Sequence, residues 1–240
     1  RTFHLTPIFD DPHARFEPGT TSALWVPPDQ GITRLVHYVV AGLTRDSVVV
    51  RGYTSAGFLR HQSWPRRSSE TQTYLAVGSS PQPKRDFLFV ATEERVWEVT
   101  TSVRDAQAFA IPFGSASDLA VTDGNLHVVS SEPPGIHRVS FDLLPGAQGT
   151  WEIGAEEWES VALPSDLRPV SAAAVPTRRG RLWVLDGNQS RLYNMDSAGE
   201  TVSFVTLEDG AAIRRVFTTR SGFGGVVLTK RDGSIQVFEP

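Results

Sequence analysis

The chain contains no cysteine. That excludes disulfides, thiolate zinc sites and cysteine nucleophiles, and it leaves the redox compartment open. Methionine occurs once, at Met195, and the chain begins at Arg1. The expectation is that a leader has been removed or that the sequence is excised from a longer one, with no signal sequence left to separate these. Lysine is nearly missing: apart from Lys84 and Lys230, the 23 basic residues are all arginine. A GC-rich coding genome accounts for such a skew, and it leaves a surface rich in planar guanidinium forks. There is no basic excess either. The formal net charge of −4 provides no field for nucleic acid. No apolar run approaches the ~18 residues of a membrane helix, so a soluble chain without membrane insertion is expected, secretion remaining open. The sequon Asn188-Gln-Ser190 matters only for a secreted chain. Helical periodicity is scarce as well. The best helix candidate, Gly154–Ser160, would make one or two turns.

What the chain does have is punctuation. Its 16 prolines and 20 glycines break it every few residues, and short Val, Leu, Phe, Tyr and Trp runs lie between them. That is an all-β pattern. It also repeats. Thr54-Ser-Ala-Gly57 and Asp196-Ser-Ala-Gly199 are nearly one turn, each set between strand-like runs. If three repeats separate them, one repeat is about 47 residues and 240 residues hold about five. Five units of four strands can then be laid out. First strands are Ser22–Val26, Thr73–Val77, Asp118–Val121, Ser171–Val175 and Arg214–Thr218. Second strands are Arg34–Val40, Phe87–Ala91, Leu126–Ser130, Arg181–Leu185 and Gly225–Thr229. Third strands are Ser47–Tyr53, Arg95–Thr100, Ile136–Phe141, Arg191–Met195 and Ser234–Phe238. Fourth strands are Phe58–Trp64, Gln107–Phe113, Glu159–Leu163 and Val202–Leu207. Asp-Gly pairs at 123, 186 and 232 supply positive φ where hairpins need it.

The fifth unit lacks a fourth strand, and the N-terminal run Phe3–Phe9 could supply it and remove an open edge. In spacing and turn chemistry the whole chain resembles a β-propeller, one domain over residues 1–240 with five four-stranded blades closed by the N-terminal strand. The alternatives are six blades or a β-sandwich. The Gly-His and Trp-Asp dipeptides of WD40 repeats are missing.

Catalytic signatures are weak. The six histidines never form a His-x-x-x-His or His-x-His pair, so no metal site is expected. There is no Gly-x-Ser-x-Gly elbow. Ser221-Gly-Phe-Gly-Gly225 leads into a strand, whereas a phosphate loop requires a helix N-terminus. Phe9-Asp-Asp-Pro-His13 resembles the Asp-Pro of the first blade in some five-bladed glycoside hydrolases, which would imply an inward Asp partnered by a Glu acid. No matching Glu motif follows, and a turn before Pro12 is the plainer reading. No catalytic residue and no cofactor are expected.

Binding features are stronger. The six tryptophans do not recur at one unit position, as a lectin with one site per blade would require. Most are read as packing. Trp151 and Trp158 are set apart because they share the longest inter-strand segment, 142–160, with Glu152, Glu156, Glu157 and Glu159. Lys84-Arg85, Arg178-Arg179 and Arg220 fall in equivalent first-to-second-strand loops, and in a propeller they would gather on one face. The candidate ligand-binding residues are therefore Arg85, Arg178, Arg179, Arg220, Trp151 and Trp158. The expected function is non-enzymatic binding of a protein or glycan partner, an acidic one included, through loops on one face. A lectin-like role ranks second and glycoside hydrolysis third.

Overall fold

Apolar runs of four to nine residues between turn-forming residues have one economical use, the strands of antiparallel sheets. The structure, a computed structural model, describes residues 16–17, 21–25, 37–54, 57–80, 85–99, 108–122, 124–140, 157–175, 180–188, 190–208, 213–218, 226–232 and 234–238. Within them lie five antiparallel sheets, each ordered as the chain runs. The first sheet holds β1 (Thr21–Trp25), β2 (His37–Leu43), β3 (Ser47–Thr54) and β4 (Gly57–Pro65). The second holds β5 (Tyr74–Ser80), β6 (Arg85–Ala91), β7 (Arg95–Glu98) and β8 (Ala108–Ala110). The third holds β9 (Ala116–Thr122), β10 (Asn125–Ser131), β11 (Pro134–Ser140) and β12 (Glu159–Ser160). The fourth holds β13 (Pro169–Ala174), β14 (Arg181–Asp186), β15 (Arg191–Asp196) and β16 (Thr201–Thr206). The fifth holds β17 (Ile213–Thr218), β18 (Val226–Lys230) and β19 (Ile235–Phe238).

The two related turns occupy equivalent places. Thr54 and Gly57 close the β3–β4 hairpin, and Asp196 to Gly199 close β15–β16. Asp196 Oδ1 accepts the backbone N–H groups of Ala198 and Glu200, both at 2.9 Å, and Gly199 takes φ +96°. A Cβ at Gly199 would lie 1.9 Å from the Ala162 carbonyl oxygen, so only glycine fits there.

Central strands of the second, third and fourth sheets are apolar on both faces because a neighbouring sheet packs on each side. On β6, Leu88 and Val90 pack with Val39, Ala41, Val48 and Val50 of the first sheet. Phe89 and Ala91 point the other way, to Leu126 and Val128 of the third. Val129 joins Leu182 and Val184 of the fourth sheet, and Leu185 and Leu192 meet Val216, Val226 and Leu228 of the fifth. The core is thus four layers between five sheets.

The first strands pack on one another in series, β1 on β5, β5 on β9, β9 on β13 and β13 on β17. Small residues permit this. Ala76, Ala120 and Ala172 are buried there, and a Cβ on Gly78 would sit 2.1 Å from Val121 Cγ1. Hydroxyls stitch neighbouring sheets together near these strands. Thr73 Oγ1 donates to the Ala41 carbonyl (2.9 Å), and Thr218 Oγ1 to that of Ala174 (2.8 Å). Ser171 Oγ donates to buried Asp118 Oδ2 and accepts the Val216 N–H at 3.1 Å. Arg215, on β17, reaches past β13 to Asp118 (3.7 Å) and lies over the Tyr74 ring on β5 (5.0 Å). Burial pushes the Asp118 carboxyl above its ordinary value, and Arg215 opposes that.

Several expected boundaries shift. The second strand of the first sheet runs on to Leu43, beyond the expected Val40, because Ala41 and Leu43 belong to the core and the Thr44–Ser47 turn sets the hairpin; its expected start at Arg34 lies outside the described residues. The expected fourth strands at 107–113 and 159–163 shorten to Ala108–Ala110 and Glu159–Ser160. The expected pairing of Phe3–Phe9 lies outside the described residues.

A polar clasp joins the first two sheets below β4 and β5. Glu70 is fully buried and accepts from Arg67 N (2.8 Å), Thr92 Oγ1 (2.7 Å) and both Nε and Nη2 of Arg95 (2.7 Å each). Arg66 donates to the Glu70 carbonyl (2.9 Å), the Thr44 carbonyl (2.8 Å) and Glu17 (2.7 Å). Burial raises the Glu70 pKa, but the hydrogen bonds from Arg95, Arg67 and Thr92 outweigh it and hold the carboxyl below its ordinary value. Glu70→Gln keeps the shape and strands the Arg95 charge. It should lower the unfolding free energy by ~3–5 kcal/mol in denaturant titration. A change under ~1 kcal/mol would show the clasp to be dispensable.

Candidate functional site

In an up-and-down sheet the first-to-second and third-to-fourth connections emerge at one end. In the third sheet Asn125 pairs with Thr122 and with Ser140, so these residues mark that end. A cavity of about 220 Å³ lies there, lined by Asn125, Arg138, Ser140, Glu157 and Glu159. Period-two alternation puts Arg138 and Ser140 on the same face of β11 as buried Ile136, the face toward the fourth sheet. Arg138 is fixed in place. Its Nε and Nη2 meet Glu159 Oε2 at 2.8 and 2.7 Å, and its Nη1 donates to the Ser197 carbonyl of the β15–β16 turn at 2.9 Å. The ion pair is half open to solvent and contributes under ~1 kcal/mol. Its effect is positional: one guanidinium and two carboxylates share the cavity, and a negative charge remains in excess.

The opposite face of the same segment is packed. Trp158 is 9% exposed and meets Phe113 edge-on, with ring centroids 5.1 Å apart. Phe113 stacks on His137 at 3.5 Å, and Ser160 Oγ lies 3.2 Å from His137 Nδ1. Burial holds the His137 pKa below its ordinary value.

Of the residues singled out in the sequence, Trp158 therefore sits in the core between the second and third sheets. Arg85 is the first residue of β6. Trp151, Lys84, Arg178, Arg179 and Arg220 lie outside the described residues. Glu157 and Glu159 belong to the segment the sequence marked, and both line the cavity. Arg138, Asn125 and Ser140 were not anticipated. The available signal was an arginine at an inward position of a strand, two residues after Ile136.

One pleat further in is His127, which shares its face with Asn125 and stands opposite Arg138. It is fully buried, and neither ring nitrogen has a hydrogen-bond partner among the described residues. Burial, helped by the nearby Arg138 charge, drives its pKa down to about 3.

No protein-family model and no characterised protein sequence matches the chain. Solved structures do. The chain is similar to virginiamycin B lyase from Staphylococcus aureus at 10% identity, over 92% of this chain and 89% of that one, with TM-score 0.50. It is similar to the Cps50 (Swd1) β-propeller domain of Myceliophteria thermophila at 13% identity and TM-score 0.59, and to BBS1N at 11% identity and TM-score 0.59. These two overlaps cover 93% and 92% of this chain and 66% of the other. The fold is a β-propeller. At such identities the likeness concerns fold alone. Among the described residues, no helix of this propeller is long and apolar enough to cross a membrane.

His127 gives a pH test. The unfolded chain takes up its proton near pH 6.5, whereas the folded protein does so only near pH 3. Stability from this residue is complete above pH 6.5 and falls by about 1.4 kcal/mol per unit as pH drops from 6.5 toward 3. His127→Leu should flatten that part of the denaturant-midpoint profile. An unchanged slope between pH 6 and 4 would reject the assignment.

Proposed function

We propose that this protein is a non-enzymatic binding module, a single five-bladed propeller over residues 1–240 that holds a protein partner on the face where the first-to-second and third-to-fourth connections emerge. The observation that carries this reading is the charged cavity at the end of the third sheet, with Arg138 fixed between Glu159 and the Ser197 carbonyl. The sequence places Lys84, Arg85, Arg178, Arg179 and Arg220 in or beside connections of the same kind. Mixed charge around one cavity suits a folded polar surface and favours partner choice over raw affinity. One neighbour in fold, BBS1N, was crystallised in complex with ARL6DN, which supports protein binding for a propeller of this kind. A glycan has less in its favour. Trp97, Trp158 and Trp183 are buried, and Trp64 stacks on Trp97 at 5.0 Å, so the described tryptophans that have a known setting serve blade packing. The carboxylate where first strands converge, Asp118, is committed to Ser171 and Arg215.

Absence of cysteine makes the test clean. Glu157→Cys carrying a benzophenone should give a discrete adduct in extract of the native host. Arg45→Cys, in the β2–β3 turn at the opposite end, should not. Adducts raised above about 0.5 M salt should weaken, because rim charges are screened. Equal labelling from both sites, or none from position 157, would sink the reading.

The closed ring is the finer part of the proposal, with Phe3–Phe9 as the strand beside β19. Ile235 and Val237 of β19 are 50% and 59% exposed, which fits an edge awaiting cover. Removing residues 1–9 should lower stability by several kcal/mol, roughly the burial of three or four large apolar side chains. A truncated chain that unfolds at the parental denaturant midpoint would rule this closure out.

A further inference from the structure

Outer strands of sheets are edges, and folded proteins protect edges by shortness, charge or proline. Four of the five outermost described strands fit that rule or have an assigned cover. β4 carries Arg60 and His61 and ends at Pro65; β8 has three residues and β12 two. β19 is the edge that the proposed closure covers. β16 is the exception. Its six residues, Thr-Val-Ser-Phe-Val-Thr, include no charge and no proline, and β15 is its sole strand partner among the described residues. Val202 and Phe204 are 49% and 50% exposed and share one face. Phe204 is held on that face by the Tyr193 ring (5.7 Å) and the Arg191 guanidinium (4.7 Å). The outer strand of the neighbouring sheet, β12, is too short to cover them.

We infer that β16 pairs antiparallel with β16 of a second copy of this chain, forming a two-fold dimer centred on Ser203. Charge and pleat select both the occupant and the register. A two-fold axis normal to the sheet places residues opposite each other only in registers that keep their faces matched. Centred on Ser203, Val202 of each copy lies opposite Phe204 of the other, a favourable aromatic to β-branched pair, made twice. Glu200 then faces Thr206. Centred on Phe204, the same strand would set Glu200 against Glu208 of the second copy, twice. Centred on Val202, it would set Glu200 against the Phe204 ring. The strand is therefore self-complementary in one register and protected from slipping by the glutamates at its ends. The ladder is short beside standard interfaces of ~800 Å² per partner, so association in the range of roughly 10–100 μM is expected.

Sedimentation velocity across this concentration range should show a monomer–dimer equilibrium. Phe204→Lys should weaken it at least ~10-fold while leaving the circular dichroism spectrum unchanged, because a charge on the edge must be desolvated against its own copy. Ser203→Cys introduces the sole thiol. It should oxidise to a disulfide-linked dimer, since directly opposed Cα atoms in an antiparallel pair lie within disulfide reach. Val237→Cys, on β19, should cross-link at least ~10-fold more slowly. A chain that sediments as a monomer at several hundred micromolar, or thiols at 203 and 237 that cross-link equally, would overturn the inference. So would a dimer insensitive to Phe204→Lys.

Discussion

Asp118 is a buried carboxylate, and the arrangement of the other sheets follows from how it is satisfied. It sits on β9, yet its partners are a serine on β13 and an arginine on β17, and that arginine also covers a tyrosine on β5. An isolated buried charge costs several kcal/mol, so the carboxyl is tolerated only while those strands are in place. Hydrophobic layers between sheets fix their spacing but are indifferent to which strand lies at the centre. The directional bonds of Asp118, Ser171 and Arg215 supply that choice. Small residues such as Ala76, Gly78, Ala120 and Ala172 then allow the first strands close enough for the bonds to form.

This division of labour places the polar chemistry elsewhere. The second, third and fourth sheets, covered on both faces, leave few positions for functional side chains along the middle of a strand. Only at the strand ends, where layers part, can Arg138, Asn125, Ser140, Glu157 and Glu159 meet around a cavity. His127 shows the cost of polarity one pleat deeper. The same ring that would be soluble and titratable at the rim is locked neutral in the layer between the third and fourth sheets.

Much of the fold was legible because turn chemistry and period-two patterning are local. The related Thr-Ser-Ala-Gly and Asp-Ser-Ala-Gly turns marked equivalent hairpins in the first and fourth sheets, and the alanine-rich runs marked first strands. The structure bears out the all-β propeller reading. Boundaries that depended on tertiary context were less legible. β2 extends to Leu43 because a neighbouring sheet buries Ala41 and Leu43, and β12 stops after two residues although its sequence continues in an extended style. The cavity was half legible. Glu157 and Glu159 stood out by composition, whereas Arg138 acquires meaning only from the Ser197 carbonyl, which comes from another sheet. Trp158 was chosen for its segment, but alternation sends it to the packed side while its glutamate neighbours face the opening.

The position of Arg215 has a bearing on how the molecule is made. A ribosome releases Asp118 and Ser171 well before the arginine that neutralises them. Until β17 emerges, the carboxylate on β9 has to keep water or a proton, and the first four sheets remain loosely joined at their centre. The Glu70 clasp, by contrast, is assembled from residues that leave the ribosome close together. The first two sheets can therefore set early as a unit, while the hub locks only after β17 has emerged. Chains cut short before Arg215 would carry at their centre a carboxylate with no cation to oppose the cost of its burial.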